Sequence, residues 1–269
     1  MGKTFLKWAG GKRWLVNSEN HRFPTEYNRY IEPFLGGGAV FFYMAPERAI
    51  LSDINEELVN TYIAVRDNMD LVYRNLRIHS NNHSKEYYYK LRDRKTRTLH
   101  TIAARMIYLN KTCFNGIYRV NKEGKFNVPF GTREKIKFNK LELQQTSEVL
   151  QGAEILCQDF ENTIEMAEEN DFLFCDPPYA VVDEDNRFVS YNADVFSWHD
   201  QIRLANALAR AKNRGVKILM TNVNHPAVRN LYENIEGFTL EIVRRQCFIS
   251  GTTGGRKEYQ ELIVSANLE

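Results

Sequence analysis

The sequence contains no uninterrupted apolar run of about 18 residues, the length a membrane-spanning helix requires, so none is expected. The N-terminus, Met-Gly-Lys-Thr-Phe-Leu-Lys-Trp, lacks the apolar stretch of a signal peptide. Leu6 stands where N-myristoylation requires serine or threonine. Four cysteines (Cys113, Cys157, Cys175 and Cys247) are scattered through the chain, and no C-x-x-C pair exists. A zinc knuckle is therefore not expected, and the cysteines are expected to be packing thiols in a reducing, cytoplasmic setting. Internal repeats, low-complexity tracts and long Pro/Ser-rich linkers are also missing. No G-x-x-x-x-G-K-[ST] phosphate loop occurs, and no G-x-G-x-x-G opens a helix, which sets aside a dinucleotide-dependent dehydrogenase.

What is present is an ordinary globular composition, 43% hydrophobic and 26% charged over 269 residues. That length suits one main domain with an inserted subdomain. The net charge is only +2, but it is unevenly spread. From Arg74 to Lys140 there are 17 Lys and Arg against 4 Asp and Glu, whereas the remainder has 19 bases against 30 acids. A basic block inside an acidic chain is the footprint of a polyanion-binding segment. Phosphate contacts from such a block supply affinity and salt dependence, not sequence choice.

Short apolar runs at Tyr30–Phe34 and Ala49–Asp53 read as buried strands ending in loops. Helical apolar spacing extends from Leu58 to about Asn110, broken by the polar His79–Asn82. Ile117–Val120 and Lys125–Val128 flank Asn-Lys-Glu-Gly, a β-hairpin signal inside the basic block. Beyond Lys140, strands at Ile155–Cys157, Phe172–Cys175 and Val216–Met220 alternate with a helix at Gln201–Asn213. This order implies an α/β layer with a mainly parallel sheet. We expect residues 1–57 and 141–269 to form the α/β domain and 58–140 an insertion.

Four strings carry chemistry. Asp176-Pro177-Pro178-Tyr179 directly follows an apolar strand, where α/β sheets bind ligands. Two prolines stiffen the turn, Asp176 adds an acceptor and Tyr179 a flat ring, a set suited to a planar group bearing an NH2. A proline-rich turn with a helix-capping Asp is the plain alternative. Phe34-Leu35-Gly36-Gly37-Gly38 follows the first strand, and its glycines permit close backbone approach ahead of a helix at Ala39–Met44. Asp53 closes the next strand, where an acid commonly bonds ribose hydroxyls or caps the helix that follows. Lys7-Trp8-Ala9-Gly10-Gly11-Lys12 places a lysine beside glycines and an indole; the lysine either neutralises a ligand carboxylate or is a surface residue.

In this order the four strings resemble the DNA adenine methylase family of S-adenosylmethionine-dependent N6-adenine methyltransferases. That family carries K-W-A-G-G-K, E-P-F-x-G-x-G, D-x-N and D-P-P-Y, matched here at Lys7–Lys12, Glu32–Gly38, Asp53–Asn55 and Asp176–Tyr179. Asn115–Arg119 and Phe126–Gly131 resemble the family's recognition hairpin, and Asp159-Phe160 its third cofactor segment. The resemblance implies a Rossmann-like α/β methyltransferase sheet with a helical and β-hairpin target-recognition insert. It implies contacts to S-adenosylmethionine from Trp8, Lys12, Phe34, Gly36, Gly38, Asp53, Asp159, Phe160 and Asp176. Asp176, Pro177 and Tyr179 would be catalytic. Phe114 would enter the base stack beside a flipped adenine, with Asn115 in the same cluster. Ile117, Arg119 and Pro129 would read the site, and Arg133 would meet a phosphate. One departure stands: where the family has Arg directly after P-F-G, this chain has Thr132 and then Arg133.

The resemblance thus predicts methyl transfer to adenine N6 in double-stranded DNA, within GATC, in the cytoplasm of a prokaryotic or phage-infected cell. No metal and no membrane are implied. A longer GAT-containing site, with a cognate restriction endonuclease that makes no direct contact, is the alternative. Amino methylation of cytosine N4 or of RNA, and a non-catalytic DNA-binding module, are the competing classes.

Overall fold

A computed structural model describes residues 4–17, 23–121, 123–182, 188–190, 196–247 and 257–268. The strands are β1 (Tyr30–Glu32), β2 (Ala49–Asp53), β3 (Ala153–Cys157), β4 (Phe172–Cys175), β5 (Ala180–Val182), β6 (Phe188–Ser190), β7 (Lys217–Val223), β8 (Thr239–Cys247) and β9 (Lys257–Ala266). The helices are α1 (Arg13–Val16), α2 (Ala39–Met44), α3 (Glu56–Asn81), α4 (Lys85–Asp93), α5 (Leu99–Thr112), α6 (Lys140–Leu150), α7 (Phe160–Glu165), α8 (Trp198–Asn213) and α9 (Pro226–Glu233). By backbone proximity the chain divides into two compact units, Met1–His21 with Leu35–Gln158, and Arg22–Phe34 with Asp159–Glu269. Residues 58–140 lie wholly in the first.

In the first unit β2 and β3 pair in parallel, from Ala49 opposite Ala153 to Asp53 opposite Cys157. The Asn55 side chain accepts the Leu58 N–H at 3.1 Å and so caps α3; Asp53 does not. Helix α3 bends at Asn68 (φ −136°, ψ 36°) and packs against α5 and α6. The expected Leu58–Asn110 helical stretch is three helices. Ser84 caps α4 after the polar break, and a second break falls at Arg94–Thr98, where adjacent cations and threonines disfavour helix. Tyr62, Tyr88 and Tyr108 are fully buried among the three. Burial of an aromatic of this size stabilises by roughly 2–3 kcal/mol.

The expected β-hairpin is corrected to a looser turn. Isolated bridges join Cys113 to Phe130 and Val120 to Phe126, without paired strands. The Asn121 N–H donates to the Lys125 carbonyl at 2.9 Å and the Asn127 N–H to the Arg119 carbonyl at 3.1 Å. Phe126 and Val128 are buried, but Ile117 and Val120 on the facing arm remain exposed, so only one arm packs inward and the pairing stays at single bridges. Cys157, the last residue of β3, is also exposed and not the packing thiol expected, whereas Cys113 and Cys175 are buried.

In the second unit the strand order is β1-β4-β7-β9-β8. Tyr30 pairs with Phe172 and Phe172 with Lys217, both in parallel, while β9 runs antiparallel to β7 and to β8. All of β4 is buried, which explains why Phe-Leu-Phe-Cys reads as a continuous apolar run. Ser197 and Asp200 form a capping box that starts α8. Arg29 grips the buried Asp171 with Nη2–Oδ2 at 2.6 Å, tying the start of β1 to the start of β4. The expected α/β class with parallel strands holds; the antiparallel β8–β9 edge was not anticipated. The polar, acidic stretch 181–192 also reads from sequence as a loop that closes over a flipped base, and most of it lies outside the described residues. No helix among the described residues is long and apolar enough to cross a membrane.

Candidate active site

In the first unit, the end of β2 sets Asp53 beside the glycine loop. Its Oδ2 accepts the Gly36 N–H and its Oδ1 the Asn55 N–H, both at 3.0 Å. Burial pushes the Asp53 carboxyl up, and the backbone N–H groups of Asn55, Gly36 and Ile54 oppose that rise. The Tyr62 hydroxyl donates to the Gly36 carbonyl at 3.0 Å. Gly36 has φ +46°, and a Cβ there would lie 2.8 Å from Trp8 Cδ1. Close approach at this loop is thus made first by the Trp8 ring. Gly38, also left-handed, opens α2. Lys12 is 3% exposed with Nζ 3.0 Å from the Gly10 carbonyl, which rules out the surface-lysine alternative.

Trp8 stacks on Tyr118 at 4.9 Å between centroids and 19° between planes. The Tyr118 hydroxyl donates to Glu57 Oε2 at 3.0 Å, and Glu57 Oε1 pairs with Arg105 at 2.7 Å. Asn110, fully buried on α5, accepts the Lys7 N–H and donates to the Lys7 carbonyl, both at 2.8 Å, and donates to Gly116 O at 3.4 Å. The Lys-Trp segment is thus attached to the base of the basic turn.

In that turn Phe114 is 50% exposed. Asn115 (φ 55°) and Gly116 (φ 66°) are both left-handed, and a Cβ at Gly116 would sit 2.2 Å from Lys7 Cδ. This bend leaves Phe114 and Ile117 exposed on either side of it. Arg119 is exposed, with Nε donating to Asn127 Oδ1 at 2.9 Å. The carbonyl of exposed Pro129 accepts the Phe114 N–H at 2.9 Å. Arg133 is exposed, and its carbonyl accepts from His83 Nε2 at 2.9 Å. His83 Nδ1 must then accept from the Tyr108 hydroxyl, at 2.7 Å. The structure therefore brings Phe114, Asn115, Ile117, Arg119 and Pro129 together on one turn.

In the second unit, Phe34 stacks on Phe160 at 5.2 Å and 25°. Arg203 lies 4.8 Å over the Phe160 ring and pairs with Asp159 at 2.7 Å. Asp159 also caps α7 through the Glu161 N–H. At the end of β4, Asp176 Oδ1 accepts from the Thr221 hydroxyl at 3.0 Å, and β5 follows at Ala180 with no helix for Asp176 to cap. Pro177 is buried. The Pro178 carbonyl accepts from Gln201 Nε2 at 3.4 Å, and Gln201 Oε1 from Asn222 Nδ2 at 3.1 Å. The Tyr179 hydroxyl donates to Glu261 Oε2.

The partners Tyr118, Glu57, Asn110, Thr221, Gln201, Asn222 and Glu261 were not singled out from sequence. Asn110 was detectable, since it is a polar residue at helical spacing from apolar Ala103 and Ile107. The others come from distant parts of the chain and carry no local signal. Among the described residues no group of three or more His, Cys, Asp or Glu is arranged to hold a metal ion.

A family model described as D12 class N6 adenine-specific DNA methyltransferase matches residues 8–246. The chain is 35% identical over 272 residues to the type II methyltransferase M1.LlaDCHI of Lactococcus lactis subsp. cremoris, covering 98% of this chain and 95% of that protein. It is 36% identical over 288 residues to the type II methyltransferase M.MjaIII of Methanocaldococcus jannaschii, covering 98% and 99%. It is 35% identical over 268 residues to the DNA adenine methylase of Haemophilus influenzae, covering 97% and 93%.

Proposed function

The chain belongs to the D12 class of N6 adenine-specific DNA methyltransferases, and from that membership we propose how its residues divide the work. It is a site-specific enzyme that methylates adenine N6 in double-stranded DNA, with S-adenosylmethionine as cofactor. The residues present fit that cofactor. Asp53 sits at a strand end, as a ribose-binding acid does, and a carboxylate with about four lone-pair sites can serve a ligand besides two backbone donors. Trp8 offers an indole face, and the left-handed Gly36, with no Cβ, lets that ring lie against the loop. In the first unit Trp8, Lys12, Gly36, Gly38 and Asp53 are assigned to the cofactor. In the second, Phe34, Asp159, Phe160 and Asp176 carry the same assignment. Bound S-adenosylmethionine supplies an electrophilic methyl group on a positive sulfur that leaves readily.

Adenine N6 is a poor nucleophile, because its lone pair is delocalised into the ring, and it is inaccessible inside a duplex. The target base is therefore flipped out, at a cost of about a few kcal/mol. Asp176 and the Pro177 carbonyl accept the two N6 hydrogens. That favours a pyramidal nitrogen with a directed lone pair, and Tyr179 stacks on the base. The nitrogen gains a carbon bond and gives up one proton. Positioning supplies most of the rate. The observation that carries this assignment is the anchored carboxylate at the end of β4, with Thr221 holding Asp176 at 3.0 Å.

In residues 58–140, the target-recognition segment, Phe114 enters the base stack with Asn115 beside it. Ile117, Arg119 and Pro129 read the bases, and Arg133 meets a phosphate. GATC is the proposed site. The second reading is a longer GAT-containing site with a cognate restriction endonuclease; it is kept because two relatives are named type II methyltransferases. A cytoplasmic, DNA-associated location completes the proposal.

Asp176→Ala is expected to keep duplex affinity and lose turnover by at least roughly 1000-fold. Single-turnover methylation with labelled cofactor, beside a gel-shift titration, measures both, and retained turnover sinks the role given to Asp176. Mapping methylated adenines in random-sequence DNA decides the site; marks outside GATC contexts reject it.

A further inference from the structure

Glu261 is 2% exposed in the middle of β9, opposite Val223 of β7 and Val243 of β8 and followed by buried Leu262, Ile263 and Val264. A carboxylate at such a position is costly unless a donor meets it. One donor that meets it is the phenol of Tyr179. The same side of the unit engages the rest of the corner: Thr221 holds Asp176 at 3.0 Å, and Asn222, fully buried, reaches the Pro178 carbonyl through Gln201. Asp176, Pro178 and Tyr179 thus each have an anchor from a residue more than twenty positions away in sequence. A phenylalanine at 179 would fill similar space but would leave the Glu261 carboxylate without this donor.

We propose that Glu261 is a positioning residue for methyl transfer: its buried carboxylate fixes the far end of the Tyr179 side chain, so that the ring already stands as the stacking face when the flipped adenine arrives. The inference rests on the stacking role assigned to Tyr179 above. A ring held at both its Cβ and its hydroxyl loses little further freedom on binding the base, and a ring held only at Cβ must be ordered each time.

The test is a double-mutant cycle on the full-length protein with Glu261→Met, Tyr179→Phe and the pair together, and with Glu261→Gln as the conservative variant. Three quantities are read: the single-turnover methylation rate, the fluorescence of a duplex carrying 2-aminopurine at the target adenine, and cofactor affinity by calorimetry. Glu261→Met and Tyr179→Phe are each expected to slow transfer by roughly 10- to 100-fold, the pair no more than either alone. Cofactor affinity stays unchanged. Glu261→Gln, which keeps an acceptor for the phenol, recovers most of the rate. Losses that multiply in the pair, a wild-type rate in Glu261→Met, or no recovery in Glu261→Gln each overturn the proposal. Should Glu261→Met fail to fold, Tyr179→Phe and Glu261→Gln decide: a wild-type rate in Tyr179→Phe, or a Glu261→Gln loss as large as that of Tyr179→Phe, overturns it. Absence of a 2-aminopurine signal in the wild type, with a coupled cycle, rejects base stacking while leaving the Glu261–Tyr179 linkage in place.

Discussion

In the turn that follows α5, Phe114, Ile117 and Val120 are 50%, 41% and 39% exposed. At the end of β4, Pro177 is buried and the groups on either side of it are hydrogen-bonded to residues of α8, β7 and β9. In the proposed function the two regions solve different problems. A surface that reads a duplex must leave its contact groups exposed, so its rigidity comes from below, through Asn110, Tyr118 and His83. A corner that aims an amine must be ordered before the substrate arrives, so its own polar atoms are anchored. Exposed apolar side chains in a cluster mark a contact surface, whereas anchored polar ones mark a site where geometry sets the rate.

The strongest way to break this comparison is to remove the support under the turn. Asn110→Ala leaves the Lys7 N–H and carbonyl without their side-chain partner and is expected to cost about 3 kcal/mol. Denaturant unfolding measures the loss, and a change below about 0.5 kcal/mol means that the buried amide does not hold the segment. Next in size is Arg119→Ala, expected to relax discrimination at one base pair by roughly 1–3 kcal/mol while other positions keep theirs. Binding to a set of single-substitution duplexes checks it; a uniform loss on every duplex would make Arg119 a phosphate contact. The smallest effect is expected from Tyr118→Ala. Loss of the Trp8 stack should weaken cofactor binding by about 1 kcal/mol, read by calorimetry without DNA. An unchanged affinity would uncouple the turn from the Trp8 segment.

The strands Ala49–Asp53 and Phe172–Cys175 were legible to the residue, and the start of a helix at Ala39 was legible too. Each is a short apolar run with a clear breaker beside it, so local preference and burial agree. The β8–β9 edge was not, because Glu241, Arg244 and Arg245 interrupt any apolar face in β8. The turn at Phe114–Phe130 carries the alternation of a hairpin, but only its second arm buries apolar side chains, Phe126 and Val128, so the two arms meet only at isolated bridges. Lys12 was read as open to solvent as much as to a ligand, and its burial depends on packing that the string Gly-Gly-Lys does not encode. For the candidate site, the four strings and their order were visible, but not their supports.

Sequence alone determined the α/β class, the basic block and the chemistry available at Asp176–Tyr179. Those follow from residue type and from spacing within a few positions. Only the tertiary structure decided that Thr221 and Glu261 hold Asp176 and Tyr179, and that Tyr118 lies under Trp8. These pairs are separated by 45, 82 and 110 positions, and a hydrogen bond or stack over that distance exists only once folding has paid the entropy of bringing its partners together.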